Sequence, residues 1–186
     1  MQLGDITDPK EIGDWTYILL AILIIDLIVL FLTKYFPDLL GKNLNVWYEQ
    51  FGFMAVVADV FIIAIGFALA RYAYKYYQPV EIDGFSLWLF LGLLVGIQFL
   101  HDIFFYLFVI KPIPKGHNRM MDVFKDYAAS GGGKILVADA AMMVGSALIA
   151  MVLKEAPGHI TALVGLFAVY TLPYILETKN KYSLFE

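Results

Sequence analysis

The chain contains no cysteine. Disulfides, thiol nucleophiles and cysteine-ligated metals are excluded, although the compartment is not fixed by this alone. It has no excess of positive charge: 13 Lys and Arg stand against 17 Asp and Glu, a net charge of −4, so no basic surface points to nucleic acid. HExxH, GxSxG, a His-rich box and a glycine-rich phosphate loop are all missing. No cofactor is expected, and the balance leans away from an enzyme. Proline is scarce where the chain is apolar. Pro9, Pro37, Pro79, Pro112, Pro114 and Pro157 fall between the apolar runs, where a missing N–H costs least, and only Pro173 falls inside one. The opening "MQLGDITDPKEIGDW" is acidic and polar, without the basic start and small-residue cleavage site of a signal peptide.

What is present is hydrophobicity: 61% of the 186 residues are hydrophobic and 16% charged, and the mean hydropathy is +0.74. Ordinary soluble domains are about half apolar and a quarter charged. The excess is gathered into runs near the roughly 20 residues that a helix needs to cross the hydrocarbon core. Five spans are expected, at about 15–33, 51–77, 85–110, 134–153 and 160–176. They form an all-α membrane bundle (15–177) between a polar N-terminal segment (1–14) and a polar tail (178–186). The rival is four spans, with the first or fifth run lying on the surface. The bilayer is the expected partner, and a homo-oligomer is left open.

One side of a five-span topology collects Lys34, Lys42, Lys111, Lys115, Arg119, Lys125, Lys134, Lys179 and Lys181. The other collects Lys10, Arg71, Lys75 and Lys154. The positive-inside rule puts the first set in the cytoplasm and the N-terminus outside. Trp15, Tyr17, Tyr74, Tyr76, Tyr77 and Trp88 would mark the outer interface, and Tyr35, Trp47 and Tyr48 the inner one. Arg71 and Lys75 are expected to snorkel, or to pair with Glu81 and Asp83. In the third connection Met120, Met121, Val123, Phe124 and Tyr127 recur at helical spacing, with Asn118 as a candidate cap and Gly131–Gly133 as a stop. A short amphipathic helix on the inner surface, about 119–129, is expected there.

The first four spans each carry an acid: Asp26, Asp59, Asp102 and Asp139, and the third adds Gln98 and His101. A charge at the bilayer centre costs roughly 3 kcal/mol on insertion scales, so these groups should face the bundle interior. Asp59, His101, Asp102 and Asp139 lie four or five residues to the same side of their midpoints, roughly 5–8 Å in depth, and Asp26 lies nearer the midplane. Gln98, His101, Asp102 and Phe105 share one helical stripe; Gly52, Ala55, Asp59, Gly66 and Ala70 share another; Asp139, Ser146 and Ala150 share a third, with Gly145 adjacent. Gly92 and Gly96 form a GxxxG suited to close helix contact, and Gly66 and Gly145 are further candidates for packing. Carboxylates gathered in a low dielectric cannot all ionise together, and His101 is the candidate imidazolium.

Three readings follow. The buried groups fix helix packing through interhelical bonds of about 0.6–2 kcal/mol each. Or Asp26, Asp59, Gln98, His101, Asp102, Asp139 and Ser146 form a proton or cation pathway, although no span has the central break that transporters use. Or Asp59, His101, Asp102 and Asp139 hold a divalent ion, alone or in an enzyme.

The stretch "FLHDIFFYLFVIKPIPKGHNRMMDVFKDYA" (99–128), followed by "ILVADAAMM" (135–143), resembles small polytopic membrane proteins encoded by large DNA viruses of algae and protists. The resemblance covers under half the chain. It implies a viral or virally exchanged gene and residence in a host or internal virion membrane. It carries no catalytic role onto His101, Asp102 or Asp139.

Overall fold

The computed structural model describes residues 3–40, 42–77 and 84–179. Among these residues the fold is all-α, without strands. Five helices are long and apolar enough to cross a membrane: α1 (Asp14–Tyr35), α4 (Phe53–Tyr77), α5 (Leu87–Phe105, prolonged to Ile110 by a π turn), α7 (Gly133–Glu155) and α8 (Gly158–Leu176). Helices suit such sequences because hydrocarbon supplies no partner for a backbone N–H or C=O.

The buried residues say how the helices pack. On α1 they include Ile18, Ala21, Ile22, Asp26, Leu30, Thr33 and Lys34, a stripe at three- and four-residue spacing. On α4 the stripe runs Ala55, Val56, Ile63, Gly66, Phe67, Ala70, Arg71 and Tyr74. Helix α1 lies against α4 and α7, and α5 lies against the same two, so these four helices close a ring. Helix α8 packs on the outside of α1, where Leu20 lies 3.6 Å from the place a Cβ would take at Gly165. Small residues make other close approaches: a Cβ at Gly66 would come within 2.7 Å of Met143 Cε, and one at Gly145 within 2.9 Å of Ile25 Cδ1. The GxxxG of α5 does not act this way within the chain. Gly92 and Gly96 have nothing within 4 Å of a Cβ position, because α5 turns its other face, through Phe90, Leu94 and Gln98, to the ring.

Two short helices follow α1: α2 (Pro37–Leu40) and α3 (Lys42–Phe51). Leu44, Trp47, Tyr48 and Phe51, at i, i+3, i+4 and i+7, give α3 an apolar face that packs against the bundle. Helix α6 (Arg119–Gly131) forms as expected in the third connection, with Asn118 Oδ1 accepting from the N–H groups of Met120 at 2.9 Å and Met121 at 3.3 Å. Helices α3 and α6 pack on one another. The Trp47 ring lies 4.8 Å from that of Phe124, and the Asn43 amide donates to the Asp126 carbonyl at 3.2 Å and to the Ser130 hydroxyl. Together they make a layer across one end of the bundle. Trp47 and Tyr48 are therefore not interfacial aromatics: they are 4% and 2% exposed, turned inward beneath the layer.

The opposite end is closed by the polar N-terminal segment. Ile6 is fully buried in the bundle core, and the Gly4 N–H donates to the Met151 carbonyl at 3.1 Å. The approach is tight at Gly4, where a Cβ would lie 3.0 Å from Lys154 Cβ. Arg71 does not snorkel. Its side chain is 1% exposed and donates to the carbonyls of Asp8 and of Glu11 (2.8 Å) and to Asp14 Oδ2 (3.3 Å), with the Trp15 ring 5.4 Å from its guanidinium carbon. Lys154 Nζ reaches the other oxygen of Asp14 at 2.6 Å. The alternative partners Glu81 and Asp83 lie outside the described residues.

Candidate functional site: a polar belt between two apolar cores

Two apolar clusters fill the bundle. One, at the N-terminal-segment end, includes Ile18, Ile22, Ile63, Phe67, Phe90, Leu94, Met143 and Met151. The other includes Leu27, Leu30, Trp47, Tyr48, Ala55 and Val56, with Phe124 against it. On two helices an acid falls between them in sequence, Asp26 between Ile22 and Leu30 on α1 and Asp59 between Val56 and Ile63 on α4, while Gln98 of α5 lies one turn past Leu94 of the first cluster.

Asp26 is fully buried. Its Oδ1 accepts from the Tyr48 hydroxyl at 2.8 Å, while its Oδ2 has no hydrogen-bond partner. Asp59 Oδ2 accepts from Trp47 Nε1 at 3.0 Å, and Asp59 lies within electrostatic reach of Asp26. The amphipathic helix α3 thus supplies both donors to acids of two spanning helices. The cation of α1 on this side, Lys34, is 4% exposed and taken by Glu49 of α3.

On α5, Asp102 Oδ1 accepts from Gln98 Nε2 at 2.7 Å and lies 3.1 Å from His101 Nδ1, whose ring stacks on Phe105 with centroids 5.3 Å apart. Asp102 Oδ2 is buried without a partner. This set stands at the edge of the ring: the side chains of His101 and Asp102 are 30% and 17% exposed. Asp139 of α7 lies within electrostatic reach of Asp102 and Asp59. Ser146 is fully buried, its Oγ without a partner. The sequence residues therefore form two hydrogen-bonded groups, Asp26 with Asp59 under α3 and Gln98–His101–Asp102 on α5, with Asp139 electrostatically between them. Among the described residues no three His, Asp or Glu side chains are grouped as a metal ion would need.

Three aromatic residues of the layer were not read as site residues: Trp47, Tyr48 and Tyr127. The helical spacing of Leu44, Trp47, Tyr48 and Phe51 carries the signal for the first two. The Tyr48 hydroxyl is pushed well above its ordinary pKa, first by burial and then by the negative charges of Asp26 and Asp59. Tyr127, on α6, is pushed up to about 12 by burial, then by Asp139 and Asp59. Both keep their protons longer folded than unfolded. Their contribution to stability is thus complete below the ordinary tyrosine value near 10 and is lost as pH rises through the folded values. In an alkaline titration followed by tyrosinate absorbance, these two of the 12 tyrosines should ionise last, and loss of structure should begin above about pH 10. A Tyr127→Phe variant should lack the component near 12; an unchanged titration would contradict the assignment.

No protein-family model matches this chain, and no curated protein or solved structure is found similar to it.

Proposed function

We propose that the belt is a proton-handling site in a polytopic membrane protein, the core of a proton or cation pathway. One observation carries the reading. Asp26 is wholly buried, one of its oxygens lacks any donor, and its neighbour is a second acid with no Lys or Arg against either among the described residues. Two acids so enclosed share protons with their surroundings instead of both holding charge. Tyr48 is a donor in contact with Asp26, and Asp139 is within electrostatic reach both of Asp59 and of Asp102, whose partner His101 lies at the edge of the ring. That edge is where protons would enter. Intramembrane acids with a histidine are the usual make-up of proton relays.

The orientation belongs to the same proposal. Lys34, Lys111, Lys115, Arg119, Lys125 and Lys134 adjoin the α3–α6 end, which the positive-inside rule assigns to the cytoplasm. Residence in a host or internal virion membrane rests on the resemblance of residues 99–143 alone.

The test is proton flux into liposomes under a pH gradient and a clamped potential. The wild type should acidify a trapped dye faster than empty vesicles do. Asp26→Asn and Asp102→Asn, which keep shape and remove the titrating group, should reduce that flux at least tenfold. Flux equal to empty vesicles, or unchanged in both variants, would overturn the reading. One observation favours a second reading, in which the belt only fixes packing: Asp26, Asp59 and Asp102 each already accept a bond from a neighbouring side chain, and dry apolar core fills the other half of the bundle. Under it, both variants lose stability and wild-type vesicles show no flux.

A further inference from the structure

The layer that supplies the donors is attached to the bundle in an unusual way. Where α3 meets α4 the chain turns at Gly52, with φ +50°, and where α6 meets α7 it turns at Gly132, also with φ +50°. Neither glycine has anything within 4 Å of a Cβ position, so both turns stand in open space. This backbone region is one that glycine enters without penalty and other residues resist. Between the two junctions α3 and α6 are fastened to each other, through Trp47 against Phe124 and Asn43 against Asp126 and Ser130. The layer is therefore one body with a glycine joint at each of two exits, and it covers Asp26 and Asp59.

We propose that α3 and α6 move together as a lid over the carboxylates, docked while Asp26 and Asp59 share a proton and lifted when both carry charge. This deepens the proton-handling reading and rests on it for the role of the site. The groups facing the pair from each packed element set the direction. Helix α3 offers Tyr48 and Trp47, which are donors without charge. Helix α6 offers Tyr127 and α7 offers Asp139, beyond which stand Asp102 and His101 of α5. Helix α1 offers Lys34, which is bound to Glu49. Helix α8 packs behind α1 and, among the described residues, sets no titratable group against the pair. Bonds from Trp47 and Tyr48 strengthen when their acceptors are charged. Two enclosed like charges without a cation cost more than such bonds return, so water must reach the pair and the lid must rise. Lifting turns α3 about Gly52 and strains the Lys34–Glu49 pair at the rim, which draws the lid back when a proton returns.

The chain has no native cysteine, so spin labels can be placed by single substitutions. Gln50→Cys on the exposed side of α3 and Ile12→Cys, 78% exposed at the opposite end, report the height of the lid along the bundle. Ile12→Cys with Glu177→Cys reports the bundle itself, and Gln50→Cys with Ala129→Cys reports the spacing of α3 and α6. Distances are measured by pulsed electron resonance on the full chain in nanodiscs, in mildly acidic and mildly alkaline buffer. The first distance should lengthen at alkaline pH while the other two hold, and it should stay at its acidic value in the Asp26→Asn/Asp59→Asn background. A first distance that does not change with pH in the otherwise native chain overturns the lid, as does a change that persists in the double variant. Flux through a lid that does not move overturns this inference alone. A lid that moves in a protein without flux upholds it and removes the pathway.

Discussion

Exchanging Arg71 for methionine is expected to cost about 3–5 kcal/mol, the scale for removing one partner of a buried ion pair. The guanidinium is 1% exposed and joins four points of the N-terminal-segment end: the carbonyls of Asp8 and Glu11, the Asp14 carboxylate and, through its face, Trp15. Without it, Asp14, itself 2% exposed, keeps only Lys154 at 2.6 Å. The two carbonyls lose their donor, and the segment is then held only by Ile6 in the core, the Gly4–Met151 bond and Lys154 on the Asp5 carbonyl. Lys154→Met should cost less, because that side chain is 27% exposed and water can replace it. Unfolding of the two variants in mixed micelles, with limited proteolysis of residues 3–13, checks the order. A methionine variant as stable and as protease-resistant as the parent would contradict this account of the closed end.

Trp47→Ala carries the second large effect, again about 3–5 kcal/mol. The indole fills the space between Phe51 at 5.0 Å and Phe124 at 4.8 Å, ring centroid to ring centroid, and so joins α3 to α6. It also gives Asp59 its 3.0 Å bond. The two roles can be separated. Trp47→Phe keeps most of the ring and loses the N–H, which should cost about 1–3 kcal/mol for a buried acceptor left without its donor. Equilibrium unfolding gives the two values, and hydrogen exchange on α6 tells whether the layer has come apart. Protection of α6 should fall in the alanine variant and hold in the phenylalanine one. Equal losses in both would mean that the hydrogen bond, not the packing, fastens the layer.

The five spanning helices were legible because each is a long apolar run closed by polar or proline-bearing connections, a signal that depends on no tertiary contact. Helix α6 was legible from its cap at Asn118 and its apolar spacing. Helix α3 carries a comparable stripe, yet the sequence before it holds Pro37 and Gly41, turn residues that mask a helix start, and the stripe is hardly longer than two turns. The acids were legible as residues that need partners, but the partners were not. Trp47 and Tyr48 look like interfacial aromatics in sequence, and only the folding of α3 across the bundle end turns them towards Asp59 and Asp26. Arg71 misled in the same way. Four residues before Lys75 and near the end of a span, it has the position of a snorkelling cation, whereas its acceptors come from a segment some 60 residues away. On α5 the stripe with Gln98 was read as inward-facing and is buried there, whereas the glycine face was read as a helix contact that the chain does not make. Glycine spacing marks a surface that allows close approach, and the ring happens to use the face of Phe90, Leu94 and Gln98.

The most direct test of the account is whether acids on separate helices face each other inside the bundle. Asp102→Cys paired with Asp139→Cys places two thiols, one on α5 and one on α7, in a chain with no others. A short bifunctional thiol reagent should bridge them in the membrane-embedded protein. It should fail to bridge Gly92→Cys to Asp139→Cys, although a monofunctional reagent labels every site. Bridging of 102 to 139 alone is the result the account predicts; labelling of both thiols without any bridge between them would contradict it.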